Sequence, residues 1–329
     1  MATVPAAIVA LVLTLALAPP VLWLLRRHDV VDVPNERSSH QLPTVRGGGL
    51  AVLAAATVAL LLAHAVDGTA RTGVLLVALA MGLIGLADDL LSLRSPPRLV
   101  AQFVVAVVAL PWLAAQVRGP IAWVAIFSVG TVLWLVGYVN AFNFMDGING
   151  MAAAQVVVAG GAWWLIGRQE HAGSLATAGL IVAAAGLGFL PFNAVRPRMF
   201  LGDVGSYFLG GWLAACAMVG LRSGLAPEAV LAPLVVFGAD TVITLIGRIR
   251  RHEDWHHAHR EHVYQRLVVG GWSHLRTSGW AAGAMAACAA FGALSLTGSL
   301  VARAVGDILV ATVAVGYLLS PRLVHPLPT

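Results

Sequence analysis

The chain is short of charge and has no lysine. Only 11% of its 329 residues are charged and 59% are hydrophobic, whereas a soluble domain carries roughly 25% charged residues. Mean hydropathy is +0.85. This deficit excludes an ordinary soluble globule and places the chain in a lipid bilayer. The two cysteines, Cys216 and Cys288, both fall inside apolar runs. They exclude a disulfide framework and a cysteine-based metal site. The G-x-x-x-x-G-K-[ST] pattern is missing, so there is no P-loop. Internal repeats and low-complexity linkers are also lacking. A single integral membrane domain covering 1–329 is the simplest organisation.

Long apolar runs dominate what is present. A helix needs roughly 20 apolar residues to cross the hydrocarbon core. About eleven stretches qualify by this measure: near 4–25, 48–66, 73–87, 99–117, 121–141, 152–166, 174–190, 206–220, 229–247, 279–298 and 300–319. Several are short, so ten is the alternative count. They are too long and too rich in Leu and Ala for barrel strands. The expected fold class is therefore all-α, a polytopic membrane bundle of about 10–11 transmembrane helices. The first run lacks a basic leader and ends on Arg26 and Arg27. It reads as a span rather than a cleaved signal peptide.

All 20 basic residues are arginine. If the first span runs from outside to inside, five of them (Arg71, Arg118, Arg168, Arg222 and Arg303) lie outside and the other 15 inside. That asymmetry fixes the orientation under the positive-inside rule. The isoelectric point near 10.0 follows from this topology, and no nucleic-acid partner is expected. The outer loops are short. The inner loops hold nearly every unusual polar residue, so five loops converge on one membrane face.

Asp88 and Asp89 close an apolar run, MGLIGLADDLLSL. Carboxylates at the hydrocarbon edge are costly unless paired, hydrated or metal-bound. Adjacent helical residues point about 100° apart, so the pair is expected to divide two jobs. NAFNFMDGING sets Asn140, Asn143, Asp146 and Asn149 at three-residue steps. On a helix this would give one polar face, readable either as a ligand site or as a packing seam. Gly147 and Gly150 favour a helix break and close backbone approach to a ligand. In FLGDVGS, Asp203 offers hard oxygen and Ser206 is placed to cap the next helix. Free N–H groups at such a helix start favour a phosphate. PTVRGGG puts Arg46 before three glycines, as in many phosphate cradles, or simply at a loop-to-helix entry.

HEDWHHAHREHVYQR, residues 252–266, carries five histidines. His252-Glu253-x-x-His256 fits the zinc-protease pattern, which needs both histidines on one helix face. However, Arg248, Arg250, Arg251 and Arg260 surround it. That charge opposes a dication and suits a diphosphate. A solvated basic surface is the third possibility.

Taken in order, DVPNERSSHQLPTVRGGG, the Asp pair, NAFNFMDGING, FLGDVGS and HAHREHVYQRL resemble the motifs of the polyprenyl-phosphate N-acetylhexosamine-1-phosphate transferases. The resemblance runs from Asp32 to about Arg276. The HREHVYQRL form is similar to the bacterial branch that starts surface polysaccharides such as O-antigen. The resemblance implies transfer of N-acetylhexosamine-1-phosphate from a UDP-sugar to undecaprenyl phosphate, with UMP as product. It implies Mg²⁺, with Mn²⁺ as a substitute, and a multi-pass protein of the bacterial cytoplasmic (inner) membrane. By motif position, Asp203 and Asn143 would ligate the metal. Asp88 would orient or deprotonate the acceptor, Asp89 would support the metal or its waters, and Arg98 would steer the Asp pair or a phosphate. Asp146 and Asn149 would line the uridine pocket, with Phe200 stacking on uracil. His257, His259, Arg260 and His262 would contact sugar and diphosphate, and Arg46 with the following glycines would line the nucleotide side. Much of the bacterial family has D-G-x-D-G in the third loop. Asn149 stands at the second acidic position, as in the eukaryotic branch, which favours hydrogen bonding there over carboxylate chemistry. The identity of the sugar and the formation of a homodimer stay open.

The rival readings are a multi-span transporter of an anionic solute and a membrane zinc protease. Transporters show inverted repeats and midplane polar residues. Here polar residues gather at one face, with Asp240 in the ninth span as the main exception.

Overall fold

A computed structural model describes residues 1–33, 43–114, 119–253 and 260–324. Each apolar stretch expected to cross the membrane is helical over most of its described residues. The chain opens with α1 (Thr3–Arg27), α2 (Gly49–Leu62), α3 (Gly68–Leu91) and α4 (Ser95–Leu113). Then come α5 (Ile121–Met145), α6 (Met151–Gln169), α7 (Gly173–Asn193) and α8 (Gly202–Arg222). Short α9 (Pro227–Leu231) runs through a 3₁₀ turn into α10 (Val235–Arg250). The surface helix α11 (Val263–Val269) precedes α12 (His274–Gly292) and α13 (Leu300–Leu319).

Among the described residues, 9 helical segments are long and apolar enough to cross a membrane. α6 has 19 residues but carries Gln155 and Arg168. α2 has only 14, roughly 21 Å at 1.5 Å per residue. By itself that falls short of a hydrocarbon core about 30 Å thick.

α8 is the hub. It packs against α3 and α5, and also against α2 and α7. In its apolar window 94% of residues are buried, against 22% in α1 and 17% in the segment containing α13. The outer helices therefore spend their apolar faces on lipid, and α8 spends its own on protein.

The α3–α8 contact is very close. A methyl group at Gly85 would lie 2.1 Å from the carbonyl oxygen of Asp203. Only a glycine lets the two backbones meet at this level, and this brings the end of α3 against the start of α8.

A three-stranded sheet caps the end of the bundle from which α2 and α8 start. β1 (Val31–Asp32) pairs antiparallel with β2 (Thr44–Arg46), and β2 pairs parallel with β3 (Met199–Phe200). Its register sets Arg46 opposite Phe200. The sheet is an addition to the all-α expectation; strands of two or three residues leave no readable alternation in a sequence.

Gly85→Ala is expected to force α3 and α8 apart and cost about 1–3 kcal/mol, the usual penalty of overpacking. Gly130, which has open space at its Cβ position, is the control. Thermal unfolding in detergent should show a lowered midpoint for Gly85→Ala and an unchanged one for Gly130→Ala.

Candidate active site

The site is built on the N-terminus of α8. Its first N–H groups have no intrahelical partner, and its N-cap residue, Leu201, supplies no side-chain acceptor. Asp89 of α3 takes that place. Its Oδ1 accepts from the Asp203 amide at 3.0 Å and its Oδ2 from the Val204 amide at 2.9 Å. A carboxylate also complements the positive end of the helix dipole. Ser206 does not cap the helix as expected; it lies inside α8, and its Oγ accepts from Asn143 Nδ2 at 2.8 Å. The N–H groups expected to favour a phosphate are spent on Asp89.

Gly202 makes this approach possible. Its φ of +76° is left-handed, and a Cβ there would sit 2.8 Å from Asp89 Oδ2. The expected phosphate cradle in the glycine run is also committed elsewhere. The Gly48 and Gly49 amides donate to the Phe200 and Leu201 carbonyls at 2.9 and 2.8 Å. These glycines dock α2 on the turn before α8, because a buried backbone N–H must be paired.

Arg46 leaves β2 to bridge two carboxylates. Its Nε lies 2.7 Å from Asp89 Oδ1 and its Nη2 2.9 Å from Asp203 Oδ2. Burial opposes the charge on the guanidinium, but Asp203, Asp89 and Asp32 outweigh it and hold Arg46 above its ordinary range. Asn143, at the end of α5, donates through Nδ2 to Asp203 Oδ1 at 3.0 Å and to Ser206. Both amide protons are thus used, and the Asn143 carbonyl oxygen is the atom left for a ligand.

Asp88, one residue before Asp89, faces the other way. It pairs with Arg98 from the first turns of α4 and accepts from the Leu93 amide at 2.9 Å. The adjacent carboxylates therefore divide as their helical spacing required: Asp89 toward α8, Asp88 toward Arg98.

A cavity of about 270 Å³ opens beside this cluster. Arg46, Asn143, Asp146, Asn149, Phe200 and Asp203 all line it. Six of the predicted site residues, from three separate motifs, thus share one wall. Asp146 follows the end of α5. Burial pushes its carboxyl well above the ordinary range, Asp203 and Asp89 push further, and Arg46 opposes them. Asn140, in contrast, donates to Gln102 Oε1 on α4 at 2.6 Å and belongs to a packing seam.

Of the histidine loop, His252, Glu253 and residues 260–266 are described. His262 does not line the cavity; it is buried, with Nδ1 2.9 Å from Asp240 Oδ1. A contact with sugar or diphosphate through this buried edge is replaced by a contact with protein. Arg260 is exposed and is also absent from the lining among the described residues. His256, His257 and His259 lie outside the described residues. α10 ends at Arg250, so His252 sits beyond it with φ +57°. Glu253 lies 2.6 Å from Arg251 and 3.1 Å from Arg248. The hydrogen bond from Arg251 and the charges of both arginines hold it below the ordinary carboxylate range. Glu253 is thus ion-paired rather than free, and His252 lies beyond the end of α10.

Asp32, Asn193, Tyr264, Gln265 and His274 also line the cavity and were not singled out from sequence. Tyr264 and Gln265 stand two and three residues after His262 within the quoted HREHVYQRL motif, which was the available signal. Asp32 opens the first motif in the same way.

Residues 71–221 match the sequence profile of glycosyl transferase family 4. Across its length the chain is 30% identical over 292 residues to a decaprenyl-phosphate N-acetylglucosaminephosphotransferase of Mycolicibacterium smegmatis, covering 76% of this chain and 71% of that protein. The chain belongs to glycosyl transferase family 4. A probable undecaprenyl-phosphate N-acetylglucosaminyl 1-phosphate transferase of Bacillus subtilis is 28% identical over 285 residues, covering 82% of this chain and 78% of that one. A phospho-N-acetylmuramoyl-pentapeptide-transferase of Gluconobacter oxydans is 31% identical over 258 residues, covering 65% and 70%. The profile match contains Asp88, Asp89, Arg98, Asn143, Asp146 and Asp203. Arg46 and the histidine loop lie beyond it.

Asp89→Asn keeps the shape but turns an N–H₂ toward one of its three donors. The start of α8 should loosen by about 1–2 kcal/mol, the scale of a lost helix cap. Amide hydrogen exchange at Asp203 and Val204 should accelerate, with the outer ends of α3 and α8 unchanged.

Proposed function

We propose that the chain transfers N-acetylhexosamine-1-phosphate from a UDP-sugar to undecaprenyl phosphate, giving undecaprenyl-diphospho-N-acetylhexosamine and UMP. This would be the first membrane step of a cell-surface glycan. The reading is carried by one observation: Asp203, Asn143, Asp146 and Arg46 meet around a single cavity at the inner end of the bundle. The names of the relatives support the same reaction class.

One P–O bond forms and one breaks. An oxygen of the polyprenyl phosphate attacks the sugar-bearing phosphorus, and the bond from that phosphorus to the bridging oxygen opens. UMP leaves with the bridging oxygen, and the sugar C1–O bond is untouched. A phosphoanhydride replaces a phosphoanhydride, so no ATP is required. The acceptor carries roughly −1.5 to −2 charge, so the main task is to position two anions and offset their repulsion.

The cavity wall fits a hard divalent cation. Asp203, Asp146, Asn143 and Asn149 line it, all residues with hard oxygen donors. Mg²⁺ favours such oxygen ligands with several retained waters. Asp203 and the Asn143 carbonyl would hold it, and when bound it neutralises charge on the diphosphate. Arg46 keeps the Asp203 carboxylate aimed along the wall and adds a guanidinium on the nucleotide side. Phe200, held opposite Arg46 by the β2–β3 register, offers a face for uracil. Asp146 and Asn149 receive polar edges of the nucleoside. Asp88 and Arg98 stand on the acceptor side, where Arg98 pairs with the lipid phosphate and Asp88 orients it. The acceptor is largely ionised already, which favours direct attack over an aspartyl-phosphate.

Purified protein should exchange radiolabelled UMP into UDP-N-acetylhexosamine in the presence of undecaprenyl phosphate. EDTA should stop the exchange and Mg²⁺ restore it. Failure with every member of a panel including UDP-GlcNAc and UDP-6-deoxy-N-acetylhexosamines would refute the reading. Asp203→Asn should lower turnover roughly 10²-fold or more, the scale of a lost charge-stabilising group, with normal membrane insertion. A phosphorylated Asp88 trapped during turnover would contradict direct attack.

A further inference from the structure

Asp240 is a fully buried carboxylate that the reaction above does not use. It lies on α10, yet it is tied to two other helical regions, the start of α11 and α13. Its Oδ1 faces His262 Nδ1 at 2.9 Å and accepts from Thr244 Oγ1 at 3.2 Å. Its Oδ2 accepts from the Val263 amide at 3.0 Å and from the Tyr317 hydroxyl of α13 at 3.5 Å. One oxygen thus holds the side chain of the residue before α11, and the other holds the first amide of α11.

The next residue carries this anchorage to the cavity. The Tyr264 ring stacks on the His262 ring, with centroids 6.0 Å apart and planes 8° apart. The Tyr264 hydroxyl donates to the Phe144 carbonyl at 3.0 Å, at the end of α5. The same hydroxyl rests on Gly147, where a Cβ would lie only 2.0 Å from it. Tyr264 therefore bears directly on the loop that presents Asp146 and Asn149. That loop has two further clamps: the Gly150 amide donates to Asn193 Oδ1 at 2.7 Å, and Ser278 donates to the Asn149 carbonyl at 2.8 Å. Without the α11 clamp, the end bearing Asp146 loses its outer support while the Gly150 end stays fixed.

We infer that Asp240 is a positioning residue for the donor side of the cavity: it fastens α11 so that Tyr264 sets the Asp146–Gly150 loop. The inference rests on the proposed assignment of that loop to the nucleotide donor. Asp240 touches no substrate in this account. The acceptor side, at Asp88 and Arg98, is built on α3 and α4 and has no part in this chain of contacts. A carboxylate serving only the general stability of the bundle would not distinguish the two substrates.

The test uses full-length Asp240→Asn and Tyr264→Phe in lipid nanodiscs. Hydrogen exchange should rise in peptides covering 143–150 and 262–269 for Asp240→Asn, and in 143–150 for Tyr264→Phe. Peptides at the α3–α8 contact should be unchanged in both. Donor KM should rise roughly ten- to hundredfold in Asp240→Asn, the scale of a lost hydrogen bond to a charged group, with acceptor KM within about twofold of the wild type, the margin expected for an uncoupled site. The double variant should be no worse than the more severe single one, since both act through one contact. Additive losses, equal changes in both KM values, or exchange rising throughout the bundle would overturn the inference. If Asp240→Asn does not fold, Tyr264→Phe decides by the same exchange and KM criteria. Hydrogen exchange needs no substrate, so it still reports on the anchorage if the wild type turns over no UDP-N-acetylhexosamine. That second result would instead strike at the proposed reaction.

Discussion

The whole candidate site depends on a helix start capped by another helix. α8 has no residue of its own to satisfy its first amides, and Asp89 reaches across from α3 to do so. This contact is possible because Gly85 lets α3 touch the Asp203 backbone. It fixes where Asp203 sits, and Arg46 then fixes where its carboxylate points. The small sheet completes the arrangement, because the strand that delivers Arg46 pairs with the strand that leads into α8. Helix packing, helix capping and side-chain orientation are thus one continuous set of contacts.

That economy has an electrostatic reason. Four carboxylates, those of Asp88, Asp89, Asp146 and Asp203, gather near the edge of a hydrocarbon layer. Ionised groups there are costly unless paired. Arg98 serves Asp88, and Arg46 serves both Asp89 and Asp203. Asp146 lies near enough for the Arg46 charge to act on it, but burial beside its acidic neighbours outweighs that and pushes its carboxyl well above the ordinary range. A wall of crowded acidic groups and oxygen atoms suits the cation and anionic nucleotide of the proposed reaction. The same wall without a cation would repel a diphosphate.

Much of this was legible in the sequence. Apolar runs gave the helices because a bilayer leaves a chain few other ways to satisfy its backbone. The arginine bias put the polar loops on one expected face, Asp88 and Asp89 stood out at the end of an apolar run, and the motif resemblance singled out Asn143, Asp146 and Asp203. What stayed hidden were the meetings between segments. Nothing local marks Asp89 as the cap for a helix 114 residues away. The glycines after Arg46 look like a phosphate cradle until the carbonyls that take their amides are known. His262 stands among histidines and arginines and so reads as a ligand group. Its partner, Asp240, lies 22 residues earlier across an intervening loop, and the pair resolves the one buried carboxylate that sequence reasoning had left unplaced. Tyr264 was overlooked because an aromatic beside a buried position ordinarily signals core packing. Periodicity reports which residues share a face of one helix, and it is silent on which helix ends come together.

The most direct test of this account is anomalous diffraction from crystals of the full chain grown with UMP and Mn²⁺. The account predicts a manganese peak within bonding distance of the Asp203 carboxylate, with the nucleotide in the cavity between Phe200 and the Asp146–Gly150 loop. A metal peak bound only in the histidine and arginine loop, with the nucleotide outside that cavity, would contradict it.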